Sequence, residues 1–228
     1  MTTRSAMILA AGLGERLAPL TEVTPKPLIE IAGKALIDYH LYALADAGVT
    51  QITVNVAHLG EKIVDHLNDV CPECIRIDFS HEPKGALETA GGIHHALDLI
   101  ESDPFIVVNA DIWTDFPFTS LPDAIGSLAH LVLVANPPHH PEGDFVLHER
   151  AVQMKSSESL TLTYSGIGLY QKRLFVGCET GRFPLSPVLN RAAQMGELSG
   201  EVYRGTWMDI GTPQRLMEAR HQARSHPR

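Results

Sequence analysis

The chain has 228 residues, with 18 lysines and arginines against 27 acids, for a formal charge of −9. That length fits one α/β domain able to bury its own core, and a composition 44% hydrophobic and 20% charged argues against disorder or fibre. The acidic total argues against nucleic acid or an anionic membrane as the main partner, since both need a basic face, and three cysteines are too few for a disulfide framework, which points to the cytoplasm.

Residues 6–10 read as a buried strand. Glu15 and Arg16 follow too soon for a signal peptide, and no window reaches the ~20 apolar residues of a membrane span. Helical periodicity over 35–47 puts Leu36, Ile37, Leu41 and Leu44 on one stripe, with Gly48 as the stop. Strands over 52–56, 75–79, 105–109 and 131–135 alternate with helices over 61–67 and 89–99. Four of the five strands are near-continuous apolar runs, as expected where both faces are covered. From 137 to 165 the pattern loosens into Pro, His, Gly and short alternating runs, the mark of an antiparallel insertion or lid. Helical signals return over 187–196 and from 212 onward, where Arg220, Arg224 and Arg228 form a basic, solvated face. The expectation is one domain over 1–228, α/β, with a Rossmann-like doubly wound, mostly parallel sheet and a small antiparallel insertion at 137–165.

In an open α/β sheet ligands collect outside the carboxyl ends of the strands. That rule gathers Gly12 to Arg16, Asn55 and His58, Ser80 and His81, and Asn109 and Asp111 on one edge. Residues 9–28 read LAAGLGERLAPLTEVTPKPL. Gly12 and Gly14 let the backbone approach a ligand and leave amides pointing at it, as suits a triphosphate. Leu17 stands where a dinucleotide fingerprint needs a third glycine, and the Gly-Lys-Ser/Thr of a Walker A loop is absent. Lys26 lies between Pro25 and Pro27, whose rings stiffen the segment. Together with Arg16, it aims two cations at a glycine-rich loop, a pattern that points to phosphate. Asp111, just past a strand end, suits a hard divalent cation that takes carboxylates plus phosphate and water.

The 9–28 run is similar to the opening motif LAAGxGxRxxPLTxxxPKPL of the sugar-1-phosphate nucleotidyltransferases. The resemblance continues through ETAGGI (88–93), VNADIW (108–113), GDF (143–145), YSGIGL (164–169) and WMDIGTP (207–213). It implies a GT-A-like fold and an in-line displacement, in which the oxygen of a sugar 1-phosphate attacks the α-phosphorus of a nucleoside triphosphate and pyrophosphate leaves. Such chemistry rests on positioning and charge neutralisation. By the same resemblance Mg²⁺ sits on Asp111 and Asp209, Arg16 meets the departing β and γ phosphates, and Lys26 meets the charge growing at the α-phosphorus, so that Arg16, Lys26 and Asp111 are the catalytic set. Ala11, Gly12, Gly14, Glu15, Ser80, Glu88 and Thr89 surround the nucleotide, Asn109 lies near the ribose, and Asp144, Tyr164 and Gly166 line the sugar side.

VNxAxLG (54–60), NADIWTD (109–115), GDF and SGExYRGxWMDIGT (199–212) lie nearest the branch that moves a uridylyl group from UTP to N-acetylmuramic acid α-1-phosphate in peptidoglycan recycling. Alternatives are a mannose-1-phosphate guanylyltransferase, a choline-phosphate cytidylyltransferase or, from a different class, a silent nucleotide-sugar sensor. The implied partners are UTP and a sugar 1-phosphate, with no obligate protein partner. Ala18 replaces an Arg of many members, and Ala110 and Ala90 replace glycines. Arg150, Lys155, Arg191 and Arg204 are candidates by type to read a lactyl carboxylate. Cys71 and Cys74 form a lone CxxC without zinc-site partners, and the pairs His94–His95 and His139–His140 diverge along the chain rather than share a metal.

Overall fold

The computed structural model describes residues 4–83, 87–155 and 160–225. Arg228 and residues 156–159 of the expected insertion lie outside that set. In chain order the elements are β1 (Ser5–Leu9), α1 (Leu20–Val23), β2 (Glu30–Ile31), β3 (Lys34–Ala35), α2 (Leu36–Asp46), β4 (Gln51–Val56), α3 (Gly60–Val70), β5 (Arg76–His81), α4 (Glu88–Ala96), β6 (Phe105–Asn109) and β7 (Ile112–Thr114). They continue with β8 (Ala129–Val134), β9 (Phe145–His148), β10 (Ala151–Met154), β11 (Thr163–Tyr170), α5 (Leu185–Gln194), β12 (Leu198–Val202), β13 (Trp207–Asp209) and α6 (Pro213–Ser225).

Nine strands form one sheet in the order β5-β4-β1-β6-β11-β8-β12-β10-β9. Its first four strands run parallel. The apolar runs of β1 and β6 serve two cores at once, because successive side chains point to opposite faces. Ala6 and Ile8 join Ile106 and Val108 beneath α2 and α3, while Met7 joins Phe105 and Val107 beneath α4 and α5. Each fully buried Ile, Val or Leu there contributes ~1.5–3 kcal/mol.

The expected strands and helices are present, with β6 matching at both ends and the other ends within three residues of expectation. Leu97–Leu99, expected as the close of a helix, forms a 3₁₀ turn. The 137–165 segment supplies the antiparallel pair β9–β10. Its last residues instead begin β11, an antiparallel strand placed between β6 and β8 in the middle of the sheet. The loose pattern before it hid a central strand because Gly166 and Gly168 interrupt the apolar alternation.

A third cluster decides where the chemistry sits. Leu17, Ile29, Ile31 and Leu36 from the amino-terminal loop pack with Trp113, Ile210, Leu216 and Ala219. β13 pairs with β7, setting Asp209 opposite Ile112. Residues near both ends of the chain are thereby clamped over the carboxyl end of β6. No helix among the described residues is long and apolar enough to cross a membrane.

Candidate active site

A cavity of about 220 Å³ opens at the carboxyl ends of β1, β4 and β6. Its wall includes Ala11, Gly12, Gly14, Lys26, Glu88, Thr89, Asn109 and Asp111, eight of the residues expected from sequence. Gly14 adopts φ +67, and an added Cβ would lie 2.8 Å from Thr21 Cγ2. The Thr21 hydroxyl and the Leu17 amide both donate to the Gly14 carbonyl, at 2.9 and 2.8 Å. The turn that aims the loop amides therefore needs glycine.

Lys26 Nζ lies 2.5 Å from Asp111 Oδ2, and its side chain is 11% exposed. An ammonium held this deep requires a counterion; Asp111 supplies it while keeping a third of its own side chain open to the cavity. Glu88 opens α4 at φ +60, a conformation that costs a non-glycine residue about 1–2 kcal/mol, and its carboxylate accepts Arg182 Nε at 3.0 Å.

Asn55 and Glu82 also line the cavity. Buried Asn55 accepts the Ala10 amide at 2.7 Å through Oδ1 and donates to Glu82 Oε1 at 2.6 Å through Nδ2. Glu82 Oε2 accepts the Leu87 amide at 2.7 Å. This relay ties the glycine loop to the start of α4. Gly92 lies beneath it, where a Cβ would stand 2.4 Å from Glu82 Oε1. Ser80, expected at the base, is buried beside Asn55 on the neighbouring strand, and its hydroxyl has no hydrogen-bond partner among the described residues.

Asp209 stands outside the cavity wall, at the end of β13. Its Oδ2 accepts Arg215 Nη1 at 2.5 Å, while Oδ1 is buried with no hydrogen-bond partner. His139 Nε2 sits 3.0 Å from that Oδ1 and 2.6 Å from Arg215 Nη1. A guanidinium can only donate, so in the contact with Arg215 His139 Nε2 is the acceptor. The Ile210 amide donates to the Asp111 carbonyl at 2.7 Å, which stitches the two acid-bearing segments together. No three His, Cys, Asp or Glu side chains converge as metal ligands among the described residues. Two carboxylates, one with a free buried oxygen, fit a hard divalent cation that draws the rest of its shell from phosphate and water. Arg16 and Glu15 are exposed on the loop, with the Arg16 guanidinium directed at Gly211.

The sugar-side residues separate. Asp144 and Tyr164 line a second cavity of about 280 Å³ with Lys155. Asp144 accepts the Tyr164 amide at 2.8 Å and His140 Nε2 at 3.0 Å. The Tyr164 hydroxyl turns away to Tyr170 at 2.7 Å, and burial pushes its pKa up. Gly166, at a register shift in β11, packs on Asn109 instead: a Cβ there would meet Asn109 Nδ2 at 2.7 Å. Of the four candidate cations, Lys155 alone reaches this cavity. Arg191 caps the Leu174 carbonyl and Arg204 lines a groove on the far sheet edge.

Sequence reasoning missed Glu82, Arg215 and the role of His139. A single glutamate, an arginine in a helix and one of twelve histidines carry no spacing signal, and only the fold brings them to the site.

The nucleotidyl transferase family model matches residues 5–149. The chain is 48% identical over 223 residues to the N-acetylmuramate alpha-1-phosphate uridylyltransferase of Neisseria meningitidis serogroup B, covering 94% of this chain and 96% of that protein. It is 36% identical to the protein of the same name from Caulobacter vibrioides, covering 94% of each. A crystal structure of a Bacillus anthracis protein assigned as a glucose-1-phosphate thymidylyltransferase, in complex with a sucrose, superposes with a TM-score of 0.85 at 22% identity, covering 97% of this chain and 96% of that one; it speaks for the fold alone. With its fold, its loop and nearly its whole length accounted for in this way, the chain belongs to the nucleotidyl transferase family.

Proposed function

We propose that this chain transfers a uridylyl group from UTP to N-acetylmuramic acid α-1-phosphate, releasing pyrophosphate and UDP-N-acetylmuramic acid, with Mg²⁺, as a step of peptidoglycan recycling. The observation that carries the reading is the Lys26–Asp111 pair at 2.5 Å on the floor of the glycine-loop cavity. It sets a cation and a carboxylate side by side where the α-phosphate of a bound triphosphate would lie. Two full-length relatives bear the name of this reaction.

The loop amides from Ala11 to Gly14 bind the triphosphate, and Glu88 and Thr89 flank the base at the start of α4. Asn109, held over Gly166, meets the ribose. Lys26 stabilises the charge that grows at the α-phosphorus, where a preorganised cation is worth most in a water-poor pocket. Arg16 receives the departing phosphates. Asp111 and Asp209 would hold Mg²⁺, which when bound supplies charge neutralisation and alignment of the two phosphates. Lys155 is placed to meet an anionic group of the acceptor in the Asp144 cavity. No step needs a covalent enzyme intermediate.

The test is pyrophosphate release across four nucleoside triphosphates and a panel of sugar 1-phosphates, with and without Mg²⁺. The expected result is fastest turnover with UTP and N-acetylmuramic acid α-1-phosphate, lost without Mg²⁺ and lost in Asp111→Asn. A preference for GTP with mannose 1-phosphate overturns the specific assignment. Equal silence of wild type and Asp111→Asn with every pair overturns the enzyme reading in favour of a sensor.

A further inference from the structure

Two guanidinium groups flank the same backbone carbon. A Cβ built on Gly211 would lie 2.2 Å from Arg215 Nη2 and 3.1 Å from Arg16 Nη2. Both guanidinium groups pass over the face of Gly211 that a side chain would occupy. Arg16 carries no ion pair among the described residues, and Arg215 has an 11% exposed side chain whose Nη1 is spent on Asp209 and His139. The fork of Arg215 is therefore held from one side, and its Nη2 and that of Arg16 lie about the same point beside Gly211.

Asp209 compensates Arg215 from the Nη1 side only, so two guanidinium groups this close favour an anion between them on the other side. The same spot lies at the amino end of α6, a 13-residue helix whose first turn begins at Pro213. The Arg215 amide is already capped by the Thr212 hydroxyl at 3.3 Å, so the helix adds its macrodipole to the attraction for negative charge. A guanidinium presents planar, paired N–H donors matched to phosphate oxygens. His139 comes from the 137–165 segment, Asp209 from β13 and Arg215 from α6, so three separate parts of the chain converge to fix one arginine.

We propose that Arg215 is a second phosphate-binding guanidinium, paired with Arg16 in a clamp for the β and γ phosphates of the triphosphate and for the pyrophosphate they become. The proposal rests on the nucleotidyl-transfer reading and adds a residue to it. Asp209 and His139 hold Arg215 through Nη1 and leave Nη2 for the ligand. The shared chemistry is a phosphate oxyanion, which the departing pyrophosphate or the acceptor's phosphate could supply; the position beside Arg16 assigns it to pyrophosphate.

The experiment is titration calorimetry of inorganic pyrophosphate in EDTA, on the full chain as wild type, Arg16→Gln, Arg215→Gln and Arg215→Lys, with a parallel titration of N-acetylmuramic acid α-1-phosphate. Losing one charge-assisted contact predicts pyrophosphate binding weakened about 10- to 100-fold in each Gln variant. In Arg215→Lys the loss is smaller, and acceptor binding is unchanged throughout. Should Arg215→Gln not fold, the Lys variant decides, since it keeps the charge but loses the fork. Wild-type pyrophosphate affinity in both Arg215 variants overturns the clamp. So does a loss that appears only once a divalent cation is added, which would make Arg215 a positioning residue for Asp209, or a loss confined to the sugar phosphate. Failure of every triphosphate and acceptor pair to react would sink the transfer reading separately, because the EDTA titration does not depend on turnover.

Discussion

Asn55→Ala tests whether the relay from the glycine loop to α4 is what holds the nucleotide cavity open. The residue is 3% exposed, and it joins the Ala10 amide at 2.7 Å to Glu82 at 2.6 Å. Truncation strands the Ala10 N–H in a buried place, costing about 1–3 kcal/mol, and removes a hydrogen bond to a charged acceptor, costing about 1.5–3 kcal/mol. Glu82 keeps the Leu87 amide at 2.7 Å and is only partly buried, which trims the second figure, so a total of about 3–4 kcal/mol is expected. That is a large share of the ~5–15 kcal/mol that holds a typical domain together, and at this chain length it lowers the melting temperature by roughly 10 °C. The assay is urea unfolding followed by circular dichroism, with the KM for UTP measured alongside; KM rises because the loop amides lose their register. A sharper control is Asn55→Asp, which keeps the acceptor for Ala10 but sets a second carboxylate against Glu82. Adding Glu82→Gln restores a donor between the two and rescues most of the loss, a coupling that a double-mutant cycle reads directly. An Asn55→Ala variant within 1 kcal/mol of wild type, or an Asn55→Asp variant that Glu82→Gln leaves unchanged, refutes the relay.

Lys26→Gln slows pyrophosphate release about 10²- to 10³-fold at saturating substrates, the usual cost of one preorganised charge in such a site; a steady-state assay showing less than tenfold would remove Lys26 from the chemistry. Tyr164→Phe and Tyr170→Phe each strand one buried hydroxyl of a pair 2.7 Å apart and cost about 1–3 kcal/mol. The double variant strands neither and returns close to wild-type stability, so additive losses in urea melts would refute the pairing. Burial holds His40 and His130 down to about 4, against about 6.5 in an unfolded chain. Between those values the unfolded chain binds protons that the folded one refuses. The stabilisation is thus fully present above pH 6.5 and drains as pH falls toward 4, at up to about 1.4 kcal/mol per pH unit for each histidine. His40→Gln keeps a donor toward the Ile112 carbonyl, which His40 Nε2 meets at 2.9 Å, and halves the slope of unfolding free energy between pH 6.5 and 5. A flat wild-type profile across that window would contradict the burial argument.

The parallel half of the sheet was legible in sequence because a strand covered on both faces must be apolar at every position, as in β1 and β6. The glycine loop was legible because its chemistry is local: Gly14, Arg16, Pro25, Lys26 and Pro27 lie within fourteen residues, and backbone constraint alone sets their direction. What stayed hidden depended on distance along the chain. Asn55 and Glu82 are 27 residues apart and Asn55 and Ala10 are 45 apart, so their bond is a product of strand order. His139 reaches Arg215 across 76 residues for the same reason. Tyr164 shows how far a motif reaches. Its place beside Asp144 was expected from the motif, but the turn of its hydroxyl toward Tyr170, next to the register shift in β11, is announced by no spacing in YSGIGL.

The acidic total that argues against polyanionic partners is compatible with a phosphate site because the functional charges are stored in pairs. Lys26 is neutralised by Asp111 and Arg215 by Asp209, so neither cation is buried alone, a state that would cost several kcal/mol. On the proposed reading a phosphate entering between the cations competes with Asp111 for the Lys26 ammonium, while Arg215 meets it through Nη2 and keeps Asp209 on Nη1. Left by itself, it would set its own negative charge against two carboxylates in a poorly solvated place. On that reading a divalent cation held by Asp111 and Asp209 would offset that penalty, and Asp209 Oδ1 is buried without a hydrogen-bond partner among the described residues. On the proposed reading, polyphosphate and cation therefore raise each other's affinity, by equal factors, as linkage requires. The net charge of the chain does not enter that balance, because the site exchanges one set of neutral pairs for another.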